Sequence, residues 1–361
     1  MQKTIIKFIL VPSLFIILFS AIYYNQVQHE VNNLIHQRYL EATQQDKRQL
    51  NTLIQEKQEN ILAVSLAISK YSSVEDVLLG KGNKELKLKE FSKLLKNATS
   101  LKNLWFQILD KDGKSLYRSF SDKIGDNLCR DRVEVEDIID YPRVISTISV
   151  GKFSITYKTL VPIYYKGEFI GVFETLAHFN SISKKIKQKG LDSILLVDKV
   201  FKKQMIHSVH KTFIEEYNLV SLNPNPHFLK YLQEVGPEKI LKHTAKAYIV
   251  SKNHDVLIST YHLHDYLDND IGYYILFKNL DDIDTSDVVQ LQNNLYLLYG
   301  ILLLIAYIFL YYRYKRMKDF EIDKKNKKLE EKIKMKNDVL EYVSLHDTLT
   351  SLPNRILFTK R

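Results

Sequence analysis

Residues 153–179 read FSITYKTLVPIYYKGEFIGVFETLAHF. Two runs dense in β-branched and aromatic residues, Phe153 to Tyr165 and Phe169 to Phe179, flank Lys166-Gly167-Glu168. Such side chains suit a pleated, half-buried surface, and a glycine between two such runs supplies the positive φ of a tight hairpin turn. A weaker form of the pattern lies upstream: Leu104-Trp105-Phe106-Gln107-Ile108-Leu109, then Asp110-Lys111-Asp112-Gly113, then Lys114 to Phe120. Asn180 or Ser181 is placed to cap a short helix ending at Gly190.

Toward the N-terminus the pattern changes. Between Pro12 and Gly80 there is neither glycine nor proline, and Val27, Val31, Leu34, Leu50, Leu53, Ile54, Ile61 and Leu62 recur at helical spacing. One long helix is expected there. Toward the C-terminus a looser second module follows, with a strand at Ser193 to Val197, a helical stretch near Thr212 to Tyr217, and a turn at Asn223-Pro224-Asn225-Pro226. Further strands are expected at Ala247 to Val250, Val256 to Thr260 and Gly272 to Phe277. The fold class is therefore α+β: a stalk helix, then a distal sheet module (about 80–190) and a proximal one (about 191–280).

Two apolar runs bracket this region. Ile5 to Tyr24 carries one charge, Lys7, and Leu295 to Tyr312 carries none. About 20 residues at about 1.5 Å each cross a hydrocarbon core of roughly 30 Å. Lys3 and Lys7 lie at the start of the first run, whereas NQVQHEVNNLIHQ after it has no Lys or Arg; Asp281, Asp282, Asp284 and Asp287 precede the second run and RYKRMK follows it. The positive-inside rule then puts both termini in the cytoplasm and residues 25–290 in the periplasm of a bacterial inner membrane. The net charge of +10 does not suggest nucleic acid, because eleven Lys/Arg against five acids crowd into Arg313 to Lys336, beside the membrane. The single cysteine, Cys129, forms no intrachain disulfide.

Beyond the second run, Ile322, Asn326, Leu329, Ile333, Lys336, Leu340 and Val343 follow a 4-3-4-3-4-3 spacing. That is the seam of a signalling coiled coil over 313–345, with Asn326 and Lys336 as polar positions that fix register, and it implies a parallel homodimer.

The central region resembles the double Cache family of extracellular sensors, in the subgroup found on histidine kinases and GGDEF proteins. The resemblance rests on Ile108 to Gly113, Tyr117-Arg118-Ser119-Phe120-Ser121-Asp122, Val150-Gly151-Lys152-Phe153, Pro162-Ile163-Tyr164 and Ile170-Gly171-Val172-Phe173-Glu174. It implies that a small ligand binds in the distal module. Trp105, Tyr117, Arg118, Phe120, Tyr157 and Glu174 are the candidate contacts, with Arg118 suited to a carboxylate. The arginine-x-tryptophan-tyrosine signature of amino-acid-binding members is absent. His207 and His210 are one pair and His262 and His264, alternating on a strand with Asp265 nearby, another; neither pair makes the three or four convergent ligands a zinc site needs, so no metal is expected.

His346 to Arg355 (HDTLTSLPNR) resembles the D-x-L-T-x-L-x-N-R opening of GGDEF domains, the diguanylate cyclase fold, through Asp347, Leu349, Thr350, Leu352, Asn354 and Arg355. The family's usual glycine after the threonine is Ser351 here. The resemblance implies cyclic di-GMP synthesis from GTP with Mg²⁺ in a full-length protein. The chain stops at Arg361, ahead of the metal-binding acids and the G-G-D/E-E-F loop, so no catalytic residue and no cofactor is assigned to residues 1–361. The expectation is a fragment of a longer enzyme or a truncated receptor. The alternative is a receptor or histidine-kinase-type sensor acting through a partner, although Pro353 lies seven residues past His346, too far for a phosphoacceptor box.

Overall fold

The computed structural model describes residues 11–82, 86–99, 101–151, 154–203, 205, 213–245, 247–347, 350–353 and 355–359. The chain divides into two units, residues 35–285 and residues 1–34 with 286–361.

The stretch without glycine or proline forms α1 (Val11–Ile68). Tyr71, extended at φ −74°, separates it from α2 (Ser72–Leu78). After α3 (Leu88–Ala98) come β1 (Leu104–Asp110) and β2 (Ser115–Arg118), then α4 (Val133–Asp140), β3 (Ile145–Val150), β4 (Ile155–Tyr165) and β5 (Glu168–His178). These five strands form one antiparallel sheet in the order β2-β1-β5-β4-β3. The β4–β5 turn falls where the sequence places it but is one residue tighter: Glu168 already belongs to β5 and pairs with Tyr165, leaving a two-residue loop in which Lys166 and Gly167 sit at φ 52° and 88°. Two positive-φ residues match the right-handed twist of the strands they join.

The helix α5 (Asn180–Lys187) leads into the proximal module: β6 (Asp192–Val197), β7 (Phe213–Ile214), β8 (Tyr217–Leu219), α6 (Pro226–Val235), α7 (Pro237–Thr244), β9 (Ile249–Ser251), β10 (Val256–His264) and β11 (Asp270–Asn279). Its sheet order is β7-β8-β6-β11-β10-β9. The helical stretch expected near Thr212 to Tyr217 is instead a short hairpin turning at Glu215, φ 54°; Thr212 itself lies outside the described residues. The apolar side chains there serve a sheet edge rather than a helix face. Asn225 caps α6 by accepting from His227 N–H at 3.1 Å, with Pro226 in the first turn. The helices α6 and α7 cover one face of the proximal sheet, where Phe228 stacks on Phe277 at 4.5 Å.

The other face of the proximal sheet and one face of the distal sheet share a single core with α1. Leu50, Leu53, Ile54, Ile61 and Ile68 of α1 pack with Phe106, Ile108, Tyr157 and Phe173 of the distal sheet and with Leu195, Tyr274 and Leu276 of the proximal one. Polar contacts also pin the helix, among them Ser65, which donates to Ile61 O and meets Thr175 Oγ1 at 2.8 Å, and Asp46, whose buried carboxylate is reached by Lys278 Nζ at 2.9 Å.

In the other unit, α8 (Ser286–Leu345) is 60 residues long, and among the described residues it is the helix long and apolar enough to cross a membrane. The first apolar run is helical from Val11; its opening, Ile5 to Leu10, lies outside the described residues. Tyr23 of that run donates to Leu295 O at 2.7 Å and stacks on Tyr299 at 5.0 Å. A last short helix, α9, spans Arg355–Thr359.

One glycine in the distal sheet is fixed by space. A Cβ on Gly171 would stand 2.4 Å from Leu109 O and 2.5 Å from Leu78 Cδ2. Gly171→Ala is expected to cost about 1–3 kcal/mol through overpacking, lowering the urea midpoint without changing the slope. A midpoint equal to wild type would show that α2 does not press on the sheet at this point.

Candidate functional site

Strand alternation gives the distal sheet two chemically different faces. The inner face, toward α1, is apolar. The outer face carries Trp105 and Gln107 from β1, Lys158 from β4, Glu174 and Leu176 from β5, and Ser149 from β3, because cross-strand partners share a face: Gln107 pairs with Glu174, Lys158 with Leu176 and with Thr147, and Ser149 with Thr156. The helix α4 lies over this face, its apolar Val135 and Ile138 packed on Leu109, Leu160 and Val172. Its first turn and the residue before it deliver Glu134 and Arg132.

These side chains form a buried ionic network. The Arg132 guanidinium forks onto Glu174, with Nη1 at 3.0 Å from Oε2 and Nη2 on Oε1, while its Nε donates to Glu134 Oε1 at 2.9 Å. Lys158 Nζ lies 3.3 Å from the same Glu134 oxygen and also donates to Ser149 Oγ, which donates to Glu134 at 3.1 Å. The Glu174 side chain is fully buried. Burial opposes the charge on Arg132, but Glu174 and Glu134 outweigh it and hold its proton more tightly than usual. Burial also opposes the Glu134 carboxylate, yet Lys158 and Arg132 hold it well below the usual range. Burial, assisted by Arg132, pushes Lys158 down to about 8.

Beside the network two buried donors stand without partners among the described residues, Gln107 Nε2 and Arg118 Nε. Arg118 is otherwise engaged: Nη1 donates to Lys123 O at 2.8 Å and Nη2 pairs with Asp126 at 2.8 Å. Trp105 stacks on Phe120 at 4.9 Å and meets the His178 ring edge-on at 4.4 Å. The charges of the network satisfy one another, while the unpartnered donors and the aromatic ring pair are polar and apolar groups of the kinds that small-molecule sites combine.

Of the residues expected from sequence, Trp105, Phe120, Arg118 and Glu174 gather on or beside the outer face. Tyr117 and Tyr157 do not. Each precedes an outer-face residue on its strand, so alternation turns it inward: Tyr117, opposite Ile108, packs on the α1 core, and Tyr157 stacks on Phe179 at 4.0 Å. Arg132, Glu134, Lys158, Ser149 and Gln107 are additions from the structure. A signal for two of them exists in the opening stretch, where Lys158 and Glu174 are charges inside otherwise apolar strands.

The histidine candidates separate. His262 and His264 lie on the exposed end of β10 with Nδ1 at 3.0 Å and 3.2 Å from Asp270, while Asp265 accepts from Leu267 and Asn269 N–H within its own turn. His207 and His210 lie outside the described residues. Among the described residues no group of three or more His, Cys, Asp or Glu is placed to hold a metal ion.

The ionic network generates two expectations. Removing one partner of a buried pair strands the other, at a cost of about 3–5 kcal/mol. Glu174→Met is therefore expected to lower stability by that order, and Arg132→Met/Glu174→Met to be less destabilised than the single variant; additive losses in a double-mutant cycle would show the pair is not coupled. Glu134, held low in the fold, contributes stability that is present above the ordinary carboxylate range of about 4.3 and lost as pH falls below it. Glu134→Gln should flatten the loss of thermal stability between pH 5 and pH 3 relative to wild type, and an unchanged acid limb would remove Glu134 as its source.

Comparison with known proteins places the chain. No curated protein matches it in sequence. Among solved structures it is similar to the sensor domain of the Vibrio cholerae histidine kinase DctB, at 15% identity over 68% of this chain and 98% of that one, with a TM-score of 0.39. A domain of a putative sensory box/GGDEF family protein from Vibrio parahaemolyticus matches at 14% identity over 72% and 98%, TM-score 0.41. The ligand-binding domain of the Campylobacter jejuni chemoreceptor Tlp3, in complex with L-valine, matches at 12% identity over 73% and 96%, TM-score 0.37. The family model described as the double sensory domain of two-component sensor kinases matches residues 36–283, and the chain belongs to that family.

Proposed function

We propose that this chain is the sensing and transmitting part of a two-span inner-membrane receptor that binds a small polar ligand on the outer face of the distal sheet. The observation that carries the reading is the order of parts. Within a double sensory domain, β11 ends at Asn279 and is followed, after six residues, by a 60-residue helix that is first apolar and then basic. Leu297, Leu304 and Tyr307 of α8 are 67%, 58% and 68% exposed, which suits a lipid environment. The seam residues Ile322, Leu329, Ile333, Leu340 and Val343 are all exposed, so a second copy in parallel would give them a partner face.

The output is a GGDEF diguanylate cyclase following Arg361, using GTP and Mg²⁺. The local geometry of HDTLTSLPNR supports this. Asp347 accepts from Thr350 N–H and Oγ1 at 3.0 Å each, and Asp347 N donates to Leu352 O at 2.8 Å. Ser351 sits at φ 55°, a conformation that explains the family's preference for glycine at this position. Leu349 and Asn354 lie outside the described residues, and Arg355 begins α9. A ligand-dependent shift of about 1–3 kcal/mol in helix pairing is enough for such a switch. The alternative, a receptor-only or histidine-kinase-type sensor acting through a partner, shares every element up to Leu345.

Cysteine crosslinking in membranes tests the seam. In a Cys129→Ser background, Leu329→Cys and Leu340→Cys are expected to form disulfide-linked dimers readily, and Lys328→Cys and Lys332→Cys slowly. Equal rates at all four positions would reject a parallel seam. For the output, a four-residue insertion beside Glu330 in a chain extended past Arg361 should uncouple cyclic di-GMP formation from stimulus; retained coupling would rule out helix phase as the carrier.

A further inference from the structure

One buried cation stands apart from the ionic network. Lys57 of α1 is buried beneath the corner where β5 turns into α5. Its Nζ donates to Ser181 Oγ at 2.7 Å and to the His178 carbonyl, and stands 5.4 Å from the centroid of the Tyr157 ring. The titratable and charged groups around it are His178 from β5, Lys185 from α5 and Tyr157 from β4, with Tyr274 of β11 and Tyr261 of β10 beside that phenol. Both acceptors are neutral, and the neighbouring charge, Lys185, repels. Arg132, Lys158 and Lys278 each have a carboxylate partner. Among the described residues Lys57 is paired with none. A neutral amine carries two N–H groups and this corner offers two oxygen acceptors; among the described residues the third proton of an ammonium has only the face of the Tyr157 ring to meet.

We propose that the receptor senses periplasmic acidity through Lys57: proton uptake puts a charge with no carboxylate partner into the joint between α1 and the β5–α5 corner and loosens it, and proton loss closes it. Burial, then repulsion from Lys185, pushes Lys57 down to about 7, which sets the joint to titrate near neutrality. His178, pushed down to about 4 by burial and by Lys57, stays neutral throughout that range. The sign follows from linkage. The unfolded chain, with an ordinary lysine, binds the proton more tightly between about pH 7 and 10.4, so stability from this group rises with pH across that window, and the joint is loosest below it.

Hydrogen exchange on the whole chain in lipid nanodiscs tests this, with the proton itself as the probe. After correction for intrinsic exchange rates, protection over residues 53–61 and 178–187 should be several-fold lower at pH 6 than at pH 8, up to about tenfold, since each pH unit below the midpoint changes the charged-to-neutral ratio tenfold. Lys57→Met should be protected equally at both values. Lys185→Ala, which removes the neighbouring cation and leaves the joint intact, should move the midpoint to higher pH. Wild-type protection equal at pH 6 and pH 8, or a wild-type response retained in Lys57→Met, overturns the proposal. If Lys57→Met does not fold, an unmoved midpoint in Lys185→Ala overturns it.

Discussion

The double sensory unit depends on one helix supplying the apolar surface that two sheets share. Distal and proximal sheets each present one apolar face that needs cover, and α1 covers both with a single stripe running from Leu50 to Ile68. Removing water from that surface is the dominant favourable term available to the fold, and it is collected only when the helix and both sheets are in place together. The core is continuous rather than two cores side by side: Tyr157 of the distal sheet stacks on Phe179, which in turn meets Tyr274 of the proximal sheet at 6.2 Å. A change of packing at one sheet is therefore felt at the helix and at the other sheet.

This arrangement leaves the outer face of the distal sheet to polar and charged side chains beneath α4. Its buried charges are costly to desolvate and are tolerated because each has its opposite within reach. The same helix that closes the network also touches the proximal module. One turn after Glu134, Asp137 of α4 accepts from the Tyr266 hydroxyl at 2.6 Å, in the turn between β10 and β11. From that turn β11 runs on to Asn279, a few residues before α8. The buried ionic network on one face and helix-directed packing on the other are thus joined by short, named contacts.

Local pattern made much of this architecture legible. The hairpin from Ile155 to His178, the turn at Gly113 and the long helix α1 all follow from side-chain period and from glycine placement. The network was not legible because its members come together only through pairing and docking. Lys158 and Glu174 stand on adjacent strands of one hairpin, but Arg132 and Glu134 reach them from a helix that periodicity left unassigned. The sidedness of Tyr117 and Tyr157 was missed for a simpler reason: sequence neighbours on a strand face opposite ways, so Arg118 and Tyr117 cannot wall the same pocket. The helices α6 and α7 carried signals, a proline after Asn225 and a glycine before Pro237, that read equally well as loop.

Equilibrium unfolding with one probe in each sheet module tests the shared core most directly. Trp105, the single tryptophan, reports the distal sheet, and a fluorophore on Leu222→Cys in a Cys129→Ser background reports the proximal module. One core through α1 predicts superimposable urea transitions for the two probes. Two separated transitions would mean that each sheet keeps its own core, and would contradict the account.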